Sequence, residues 1–511
     1  MEVRVLMSAS AAPQGARPPA EFSREELEKE LEHDYSSATT GVVPLSERRS
    51  LYHFIALWTT FAAGFTYLFL GFQYHDSGYG LGKAVAAGAL GALCYLAYAL
   101  PASYLGSRSG QTHSLLTRSI FGMVGSVVVS LLLIGVAAGW TAFAWNLLAV
   151  MYDGLFSWGH LALIGVLLAV VGIVNNLLGF TGITAFARYV VAPVMILWML
   201  YLVIKGFAQI PGLGRTPPIP QGGFPVPFLS GVALAIGSVM WGNEPDTWRY
   251  GKPRFWWPLA PYAIALAIGM VLFVMGGWMM AERSQAGAFN FGPAYRATVE
   301  FSLFGALWLG FIIATVLQVA INDGNYYEVV NAGQNLLGQL RNWRRWYTCL
   351  LAILPVAALT WWFVANGKIE LNFFKVAGWS AIALPCTTIV MCADQFLLPR
   401  LLNVRRPVGR IPEWRNTALG NWPAIVAVLA ALAFGAYGLQ LFPGQKPPRN
   451  LGLVPVEAWA LAGVLYLALA ALVARAPAGK ALLGFAHHLR GPGVPEEAAP
   501  APAPPTAPEV G

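Results

Sequence analysis

Long apolar segments recur along almost the whole of this 511-residue chain. A helix needs about 20 mostly apolar residues to cross the hydrocarbon of a bilayer, and reading by that length gives twelve segments. Only 11% of the residues are charged, whereas a soluble domain that covers itself with a polar surface carries about 25%. The sequence therefore predicts an all-α membrane protein with twelve transmembrane helices in a lipid bilayer. The segments lie near 51–74, 82–104, 119–151, 160–178, 186–208, 226–248, 256–281, 299–327, 347–366, 371–399, 421–442 and 455–475.

Charge and side-chain chemistry exclude several other classes of protein. The net charge of +8 does not indicate nucleic-acid binding, because the Lys and Arg residues stand in short loops between apolar segments. The four cysteines lie in or beside apolar segments without zinc-type spacing, and the seven histidines are scattered, so we expect neither a metal nor a cofactor. No metalloprotease, nucleophile-elbow or phosphate-loop motif is found, and we expect that the chain is not an enzyme.

Polar ends flank the apolar segments. Residues 1–50 and 476–511 are rich in charged residues or in Pro and Ala, so both are predicted to be flexible tails. An even number of spans puts the two tails on one side of the membrane. The loops on that side carry more Lys and Arg than the opposite loops, and Arg48 and Arg49 directly precede the first segment. Both termini are therefore predicted to be cytoplasmic, in the plasma or inner membrane.

The sixth segment ends in residues that a plain spanning helix does not favour. The stretch Gly237–Arg254 reads G-S-V-M-W-G-N-E-P-D-T-W-R-Y-G-K-P-R. Lipid-exposed backbone cannot break inside hydrocarbon, so a helix that opens here must face protein or a water-filled cavity, as in the substrate sites of transporters. The alternative is a helix that ends at the membrane surface near Asn243, with Glu244 and Asp246 in water.

Two other segments carry comparable features. The middle of the first segment, 59–66, reads T-T-F-A-A-G-F-T, which predicts either a surface for close helix packing or a second broken helix. The third segment has Gly139-Trp140 at its middle, where a tryptophan either packs or offers its N–H to a partner.

The eighth segment poses a question of depth. Its apolar residues from Phe301 to Ile321 already span about 30 Å at about 1.5 Å each. Asn322, Asp323 and Asn325 follow directly and would then lie at the inner surface of the membrane. They can line a central site only if this helix starts beyond the outer interface or tilts strongly.

Together these patches resemble nucleobase:cation symporter family 1, the family of cytosine, purine, allantoin and hydantoin permeases. The resemblance covers roughly residues 40–475, and the order and spacing of its motifs make it specific. The matching residues are Gly139 and Trp140 in the third segment, Asn243, Pro245, Asp246, Arg249 and Tyr250 in the sixth, Asn322, Asp323 and Asn325 in the eighth, and Pro385, Asp394, Phe396 and Leu397 in the tenth.

The resemblance implies the five-plus-five inverted-repeat fold of the leucine transporter, followed by two further helices. The first repeat would comprise residues 51–209, the second repeat 226–399, and the last two helices 421–475. The substrate and the coupling cation would lie near the membrane midplane, between the discontinuous first and sixth helices and the third and eighth helices.

The resemblance also implies a site for a planar nitrogen heterocycle. In relatives the flat ring stacks on a tryptophan of the third helix, which Trp140 matches. Such stacking contributes ~1–3 kcal/mol and tolerates many bases, while polar groups select the heterocycle through in-plane hydrogen bonds. The predicted substrate-binding residues are Ala63, Gly64, Phe65, Gly139, Trp140, Gly237, Trp241, Gly242, Asn243, Asn322 and Asn325.

Two departures from the family pattern change this expectation. The family's helix-six tryptophan stands nine residues before the motif aspartate, where this chain has Gly237; Trp241 is the candidate replacement. The hydroxyl pair that precedes the helix-eight asparagine in sodium-coupled members is replaced by Ala320 and Ile321, which supply no oxygen ligands.

Proton coupling is therefore predicted in preference to sodium coupling. The backbone carbonyls near Ala62 and Phe65 could not easily complete an ion shell alone. Partly buried carboxyls titrate and can carry a proton, and Glu244 and Asp323 are the candidates. Asp246 and Arg249 are assigned a structural or gating role.

Other functions stay open from the sequence. A transporter of the same fold could carry an amine, a vitamin or an amino acid instead of a nucleobase. A membrane-embedded sensor, an enzyme or a channel belongs to a different class, but the tails are too short for a folded sensor domain, and neither a catalytic constellation nor a repeated filter sequence is found.

Overall fold

The described part of the chain consists of helices joined by short loops. The computed structural model describes residues 42–178, 189–190, 192–219, 225–242, 244–285, 290–338, 345–365, 369–404, 406, 420–442, 453–476, 479 and 483. Across these ranges there are α-, 3₁₀- and π-helical segments and no strand, which confirms the all-α class. Asn243 and most of the two predicted tails lie outside the described residues.

The α-helices of these ranges are numbered in chain order. Seven helical stretches are long and apolar enough to cross a membrane, and an eighth results when α1 and α2 count as one bent span. The helices are α1 Leu51–Ala62, α2 Phe65–Asp76, α3 Leu81–Ser109, α4 His113–Phe156, α5 Leu161–Val171, α6 Ala192–Gln209, α7 Phe228–Val239, α8 Glu244–Trp248, α9 Leu259–Leu266, α10 Val274–Ser284, α11 Phe291–Ser302, α12 Leu307–Gly338, α13 Arg345–Ala365, α14 Ile369–Cys392, α15 Leu398–Leu402, α16 Trp422–Gly438 and α17 Val454–Val473.

The first apolar segment is a broken helix. α1 and α2 are separated by Ala63 and Gly64, and their axes differ by 42°. Ala63 has a ψ of 34° and Gly64 a ψ of 155°, so both have left the helical conformation. A Cβ atom on Gly64 would overlap the side chain of Ile321 on α12. The break therefore lies directly against the eighth segment.

The sixth segment is broken as well. α7 ends at Val239, and Met240 has the extended values φ −75° and ψ 98°. Gly242 has a φ of +77°, which glycine adopts without steric cost. Glu244 and Asp246 follow in α8 and are 0% and 1% exposed. The alternative in which this helix ends at the membrane surface with both carboxylates in water is wrong.

The eighth segment begins and ends later than the predicted 299–327. α12 spans Leu307–Gly338, and Phe304 and Gly305, both with positive φ, form the turn before it. Hydropathy does not register this turn, because the residues around it are apolar. Asn322 consequently lies at the middle of the 32-residue helix and is fully buried.

The third segment is the long helix around which the site is arranged. α4 has 44 residues and extends beyond the predicted 119–151 at both ends. It kinks at Gly122, whose φ of 76° and ψ of 177° are not helical. Both α12 and α14 pack along α4. Trp140 lies in the part of α4 beyond this kink.

Glycine contacts join the second half of the first segment to the seventh. A Cβ atom on Gly71 of α2 or on Gly277 of α10 would overlap the backbone of the facing helix. The π-helical segment Ala267–Phe273 separates α9 from α10. A Cβ atom on Gly269 within it would lie 2.8 Å from the carbonyl oxygen of Ala62. The irregular middle of the seventh segment therefore lies beside the break in the first.

The residues before α1 pack onto the end of the sixth segment. The Arg48 guanidinium donates hydrogen bonds to the carbonyls of Val43 at 2.9 Å and Gly251 at 3.1 Å, and also to the Arg249 carbonyl. Burial of the guanidinium, and then the neighbouring Arg249 charge, lower the pKa of Arg48 to about 10. Residues 42–50 were predicted to belong to a tail, but packed structure already begins here.

The motif residue Asp394 connects the tenth segment to the last helix. Asp394 lies in the π-helical segment Ala393–Leu397, and its Oδ2 pairs with Arg406 Nε at 2.6 Å. The Tyr466 hydroxyl on α17 donates to the same oxygen. All three side chains are buried, so this part of the family motif holds α14 and α17 together.

Candidate substrate site at the helix breaks

Trp140 of α4 is a buried tryptophan that makes only edge-on contacts with other rings among the described residues. It is 8% exposed, and the rings of Phe143 and Phe373 meet it edge-on with centroids 5.8 and 6.2 Å away. Within the described residues its indole Nε1 is buried without a hydrogen-bond partner. The adjacent Gly139 faces Val376 of α14 at 3.6 Å from its would-be Cβ, which gives Gly139 a packing role.

The break between α1 and α2 is lined by apolar groups. Ala62, Ala63 and Phe65 are buried, and the carbonyl of Ala62 faces the seventh segment. From α12, the Ile321 side chain covers the break and Ala320 is 2% exposed. These two side chains offer the break hydrocarbon and no oxygen.

Trp241 occupies the break between α7 and α8. Its ring contacts Trp58 of α1 at a centroid distance of 4.8 Å and Tyr95 of α3 at 5.2 Å. Among the described ring contacts, none joins Trp241 to Trp140. Trp241 therefore packs with aromatic residues of α1 and α3.

Gly237 is a helix-packing residue. A Cβ atom at this position of α7 would overlap the Ala377 carbonyl of α14. A tryptophan cannot occupy position 237 with the two helices at this separation. The structure thus gives Gly237 a steric reason that the sequence alone did not provide.

Glu244 is held by two tyrosines of α3. Tyr95 donates to its Oε1 at 2.8 Å, and Tyr98 donates to its Oε2 at 3.3 Å. Glu244 is fully buried, and no described Lys or Arg forms an ion pair with it. The two phenols take over the role of the water molecules that the carboxylate loses on burial.

Asp246 and Arg249 connect α8 to its neighbours. Asp246 accepts hydrogen bonds of 2.7 Å from the backbone N–H of His113 and from the side-chain amide of Asn331. Arg249 is 0% exposed and donates to the Tyr327 hydroxyl at 3.1 Å. The opposite charges of Asp246 and Arg249 attract each other. This network attaches the end of the sixth segment to α4 and α12.

The middle of α12 presents amide side chains. Asn325 donates to Asn322 Oδ1 at 3.2 Å, while Asn322 Nδ2 is buried without a described partner. One turn earlier, Gln318 donates to a carbonyl of α4 at 3.0 Å, and its Oε1 is likewise without a described partner. The backbone carbonyl of Asp323 accepts a hydrogen bond from the Asn176 side chain at 3.0 Å.

Sequence reasoning missed several of these groups, above all Glu328. It is 3% exposed on α12 and lies against Gly242, whose would-be Cβ is 2.8 Å from Glu328 Oε1. An ionisable residue inside an apolar helix is a functional candidate by default, but the helix was predicted to end at residue 327. Tyr95, Tyr98 and Gln318 were missed because only the packing of α3, α4 and α12 reveals their partners.

Several buried polar groups on packed helices lack partners. Each such group costs about 1–3 kcal/mol when it is left without a hydrogen bond. α12 packs against both α1 and α4. Among the unpartnered atoms of the described residues, six on these three helices are Trp58 Nε1, Thr59 Oγ1, Trp140 Nε1, Gln318 Oε1, Asn322 Nδ2 and Glu328 Oε1.

Comparison with known protein families shows which family has this sequence and fold. A family model described as a permease for cytosine/purines, uracil, thiamine and allantoin matches residues 42–462. The chain belongs to this permease family. The match confirms the resemblance seen in the motifs, and it makes the chain a multi-pass membrane transporter and not an enzyme.

Relatives and solved structures agree with that assignment. The permease is 25% identical to the cytosine permease of Escherichia coli strain K12 over 421 residues, which covers 80% of this chain and 90% of that protein. The cytosine permease of Escherichia coli O157:H7 is also 25% identical over 421 residues.

The fold of the permease is that of Mhp1, a nucleobase-cation-symport-1 family transporter. The closed conformation of Mhp1 with bromovinylhydantoin bound superimposes with a TM-score of 0.67 at 18% identity, covering 88% of this chain and 100% of that one. The inward-facing conformation of Mhp1 gives a TM-score of 0.59 over 89% of this chain. These likenesses establish the fold.

Proposed function

We propose that this permease is a secondary active transporter of a planar nitrogen heterocycle, a nucleobase or a related ring such as cytosine, a purine, allantoin or hydantoin, and that protons drive it. The observation that carries the proposal is the interruption of two helices, α1–α2 and α7–α8, near a buried tryptophan with an unused N–H. Broken helices leave backbone donors and acceptors for a solute in the middle of a membrane protein.

Within this proposal the ring stacks on Trp140. The Asn322 Nδ2 donor and the Gln318 Oε1 acceptor, both without a described partner, supply the in-plane hydrogen bonds that a heterocycle with adjacent C=O and N–H groups needs. The backbone at the two breaks closes the site. The remaining residues assigned to it are Ala63, Gly64, Phe65, Trp241, Gly242, Asn243 and Asn325.

Proton coupling is supported by what surrounds the breaks. Ala320 and Ile321 give a sodium ion no side-chain oxygen, while Glu244 lies fully buried at the second break. Glu244 is our first candidate for the proton carrier, because Tyr95 and Tyr98 connect it to hydroxyl groups that can relay a proton. Asp323 is the second candidate.

The likeness to Mhp1 supports a wider architecture that we also propose. Twelve spans would form an inverted repeat of 51–209 and 226–399 followed by 421–475, with flexible tails at 1–50 and 476–511. Both termini would face the cytoplasm, and the membrane would be the plasma or inner membrane. Asp246 and Arg249 would act as a gate, because their network attaches the end of the sixth segment to α4 and α12.

A vitamin or an amine is the second candidate substrate. The description of the matching family includes thiamine alongside the nucleobases. Glu244, Asp246 and Glu328 also bring three buried carboxyls close to the second break. An enzyme, a sensor or a channel has no comparable support.

Uptake into proteoliposomes tests the proposal. The purified permease is reconstituted and supplied with radiolabelled nucleobases, hydantoins and allantoin under an imposed proton gradient, an imposed sodium gradient or neither. We expect accumulation of at least one heterocycle with the proton gradient alone. Accumulation that requires sodium would refute the proton coupling, and the absence of uptake for every ring would refute the substrate class.

A further inference from the structure

Glu328 is a buried acid without a described partner. It is 3% exposed, and its Oε1 has no hydrogen-bond donor within reach among the described residues. No ion pair with a described Lys or Arg is present. Its carboxylate lies against Gly242, in the non-helical segment between α7 and α8. The acid therefore faces the second break.

The other two acids near the break are already satisfied. Asp246 accepts two hydrogen bonds of 2.7 Å and is attracted by Arg249. Glu244 accepts from two phenols of α3. Both acids act on Glu328 as like charges, so the surroundings of its carboxylate are negative.

A buried carboxylate in such surroundings favours a cation. An ionised carboxyl is costly to bury unless a cation or hydrogen-bond donors compensate it, and like charges nearby add to the cost. Without either the acid holds a proton, and a cationic ligand that binds it must displace that proton. The protein supplies neither to Glu328 within the described residues. A positively charged ligand with an N–H donor compensates both the charge and the missing hydrogen bond.

The face of α12 connects this acid to the rest of the site. Ile321, Asn325 and Glu328 follow one another at helical spacings of four and three residues, so they lie on one side of the helix. Ile321 touches the first break and Glu328 touches the second. A ligand held between the two breaks can therefore reach Glu328.

We infer that the heterocycle carried by this permease is a cation, and that its positively charged N–H group binds the Glu328 carboxylate beside Gly242. The inference rests on the proposed function and narrows its substrate class to protonated or permanently charged rings, such as aminopyridinium or amidinium compounds. Neutral nucleobases of the same shape bind more weakly.

The test compares rings that match in shape and differ in charge. Binding of 4-aminopyridine, a cation at neutral pH, and of neutral 4-pyridone is measured by calorimetry on the purified permease at one fixed pH, together with neutral cytosine. We expect the cation to bind roughly tenfold or more tightly than its neutral match. Glu328→Gln, which keeps the shape of the side chain, should remove that preference by weakening the binding of 4-aminopyridine roughly tenfold or more.

Glu300→Gln is the matched control, because Glu300 is exposed and pairs only with Arg296 on its own helix at 3.0 Å. It should keep the preference, and gel filtration and thermal melting check that both variants fold. Equal or tighter binding of the neutral rings to the unmodified permease overturns the inference and leaves the proposed function standing. A preference that survives in Glu328→Gln also overturns it.

Two further outcomes have defined meanings. If sodium strengthens the binding of a neutral ring and Glu328→Gln abolishes that effect, the carboxylate serves an ion and the inference is wrong. If neither these compounds nor any ring of the uptake panel binds, the proposed function fails and the inference fails with it.

Discussion

The hydroxyl of Tyr95 lies 2.8 Å from Oε1 of Glu244 and donates a hydrogen bond to it. Tyr98, one helical turn further along α3, donates to the other carboxylate oxygen at 3.3 Å. The first residue after the α7–α8 break is thus held from a different helix. Since Glu244 is fully buried, the loss of either phenol removes a donor that water cannot replace, although backbone N–H groups of Gly242 and Glu244 also donate to the carboxylate.

Replacing Tyr95 with phenylalanine should destabilise the permease. Removal of one partner of a buried hydrogen bond costs about 1–3 kcal/mol, and more when the group left behind is charged. We expect a lower melting temperature in detergent for Tyr95→Phe than for Tyr52→Phe, which alters an exposed tyrosine before the first break. Equal melting temperatures of the two variants would show that this hydrogen bond is not formed.

Trp140→Ala should weaken substrate binding strongly while the protein still folds. Loss of one base-stacking side chain costs about 1–3 kcal/mol, which is roughly 5- to 150-fold in affinity. Trp308→Ala is a suitable control, because Trp308 is 63% exposed at the start of α12. Unchanged uptake in Trp140→Ala would remove this residue from the site.

Gly64→Ala should block transport, and a second substitution should relieve the block. The added Cβ overlaps the end of the Ile321 side chain and not a backbone atom, so a smaller residue at 321 makes room for it. We expect little uptake in Gly64→Ala and partial recovery in Gly64→Ala combined with Ile321→Ala. Uptake by the double variant that is no better than by Gly64→Ala argues against this contact.

Gly237→Ala should lower the thermal stability of the permease, whereas the same substitution at a glycine with open space around it should not. Its Cβ would overlap the Ala377 carbonyl, and overpacking against backbone costs typically about 1–3 kcal/mol. Gly135→Ala on α4 is the control, because nothing lies within 4 Å of its would-be Cβ. Thermal melting should separate the two variants, and similar melting curves would show that α7 and α14 are further apart than described.

Glu244→Gln should uncouple transport from the proton gradient. A glutamine cannot bind and release a proton, but it can still accept a hydrogen bond from Tyr95. We expect Glu244→Gln to exchange labelled for unlabelled substrate across the vesicle membrane while it no longer accumulates substrate under a proton gradient. Accumulation that persists would transfer the coupling role to Asp323, which Asp323→Asn tests in the same assay.

Local chemistry marked both helix breaks as candidates but did not decide between a broken helix and close packing or a helix end at the membrane surface. Gly64 and Gly242 stand among small or polar residues in segments that are otherwise apolar. This contrast can be seen in the amino-acid sequence alone. The depth of Asn322 could not be predicted, because the turn at Phe304 and Gly305 consists of residues that hydropathy counts as part of a span.

The charged part of the site depended on packing that the sequence does not state. Glu244 was a candidate from the start, but its partners Tyr95 and Tyr98 are distant in sequence and lie on α3. Glu328 was overlooked because α12 was expected to end just before it. Because the sequence did not reveal the turn at Phe304 and Gly305, the predicted helix ended too early and did not include Glu328.

The contact between Gly269 and Ala62 bears on how such a molecule moves. α2 and α10 pack closely through Gly71 and Gly277. Because of this close packing, we expect a tilt of one of these helices to tilt the other by the same amount. The π-helical segment and the first break lie at one level on neighbouring helices, and both have backbone that can bend there. Bending at that shared level would move α2 and α10 together relative to α1 and α9.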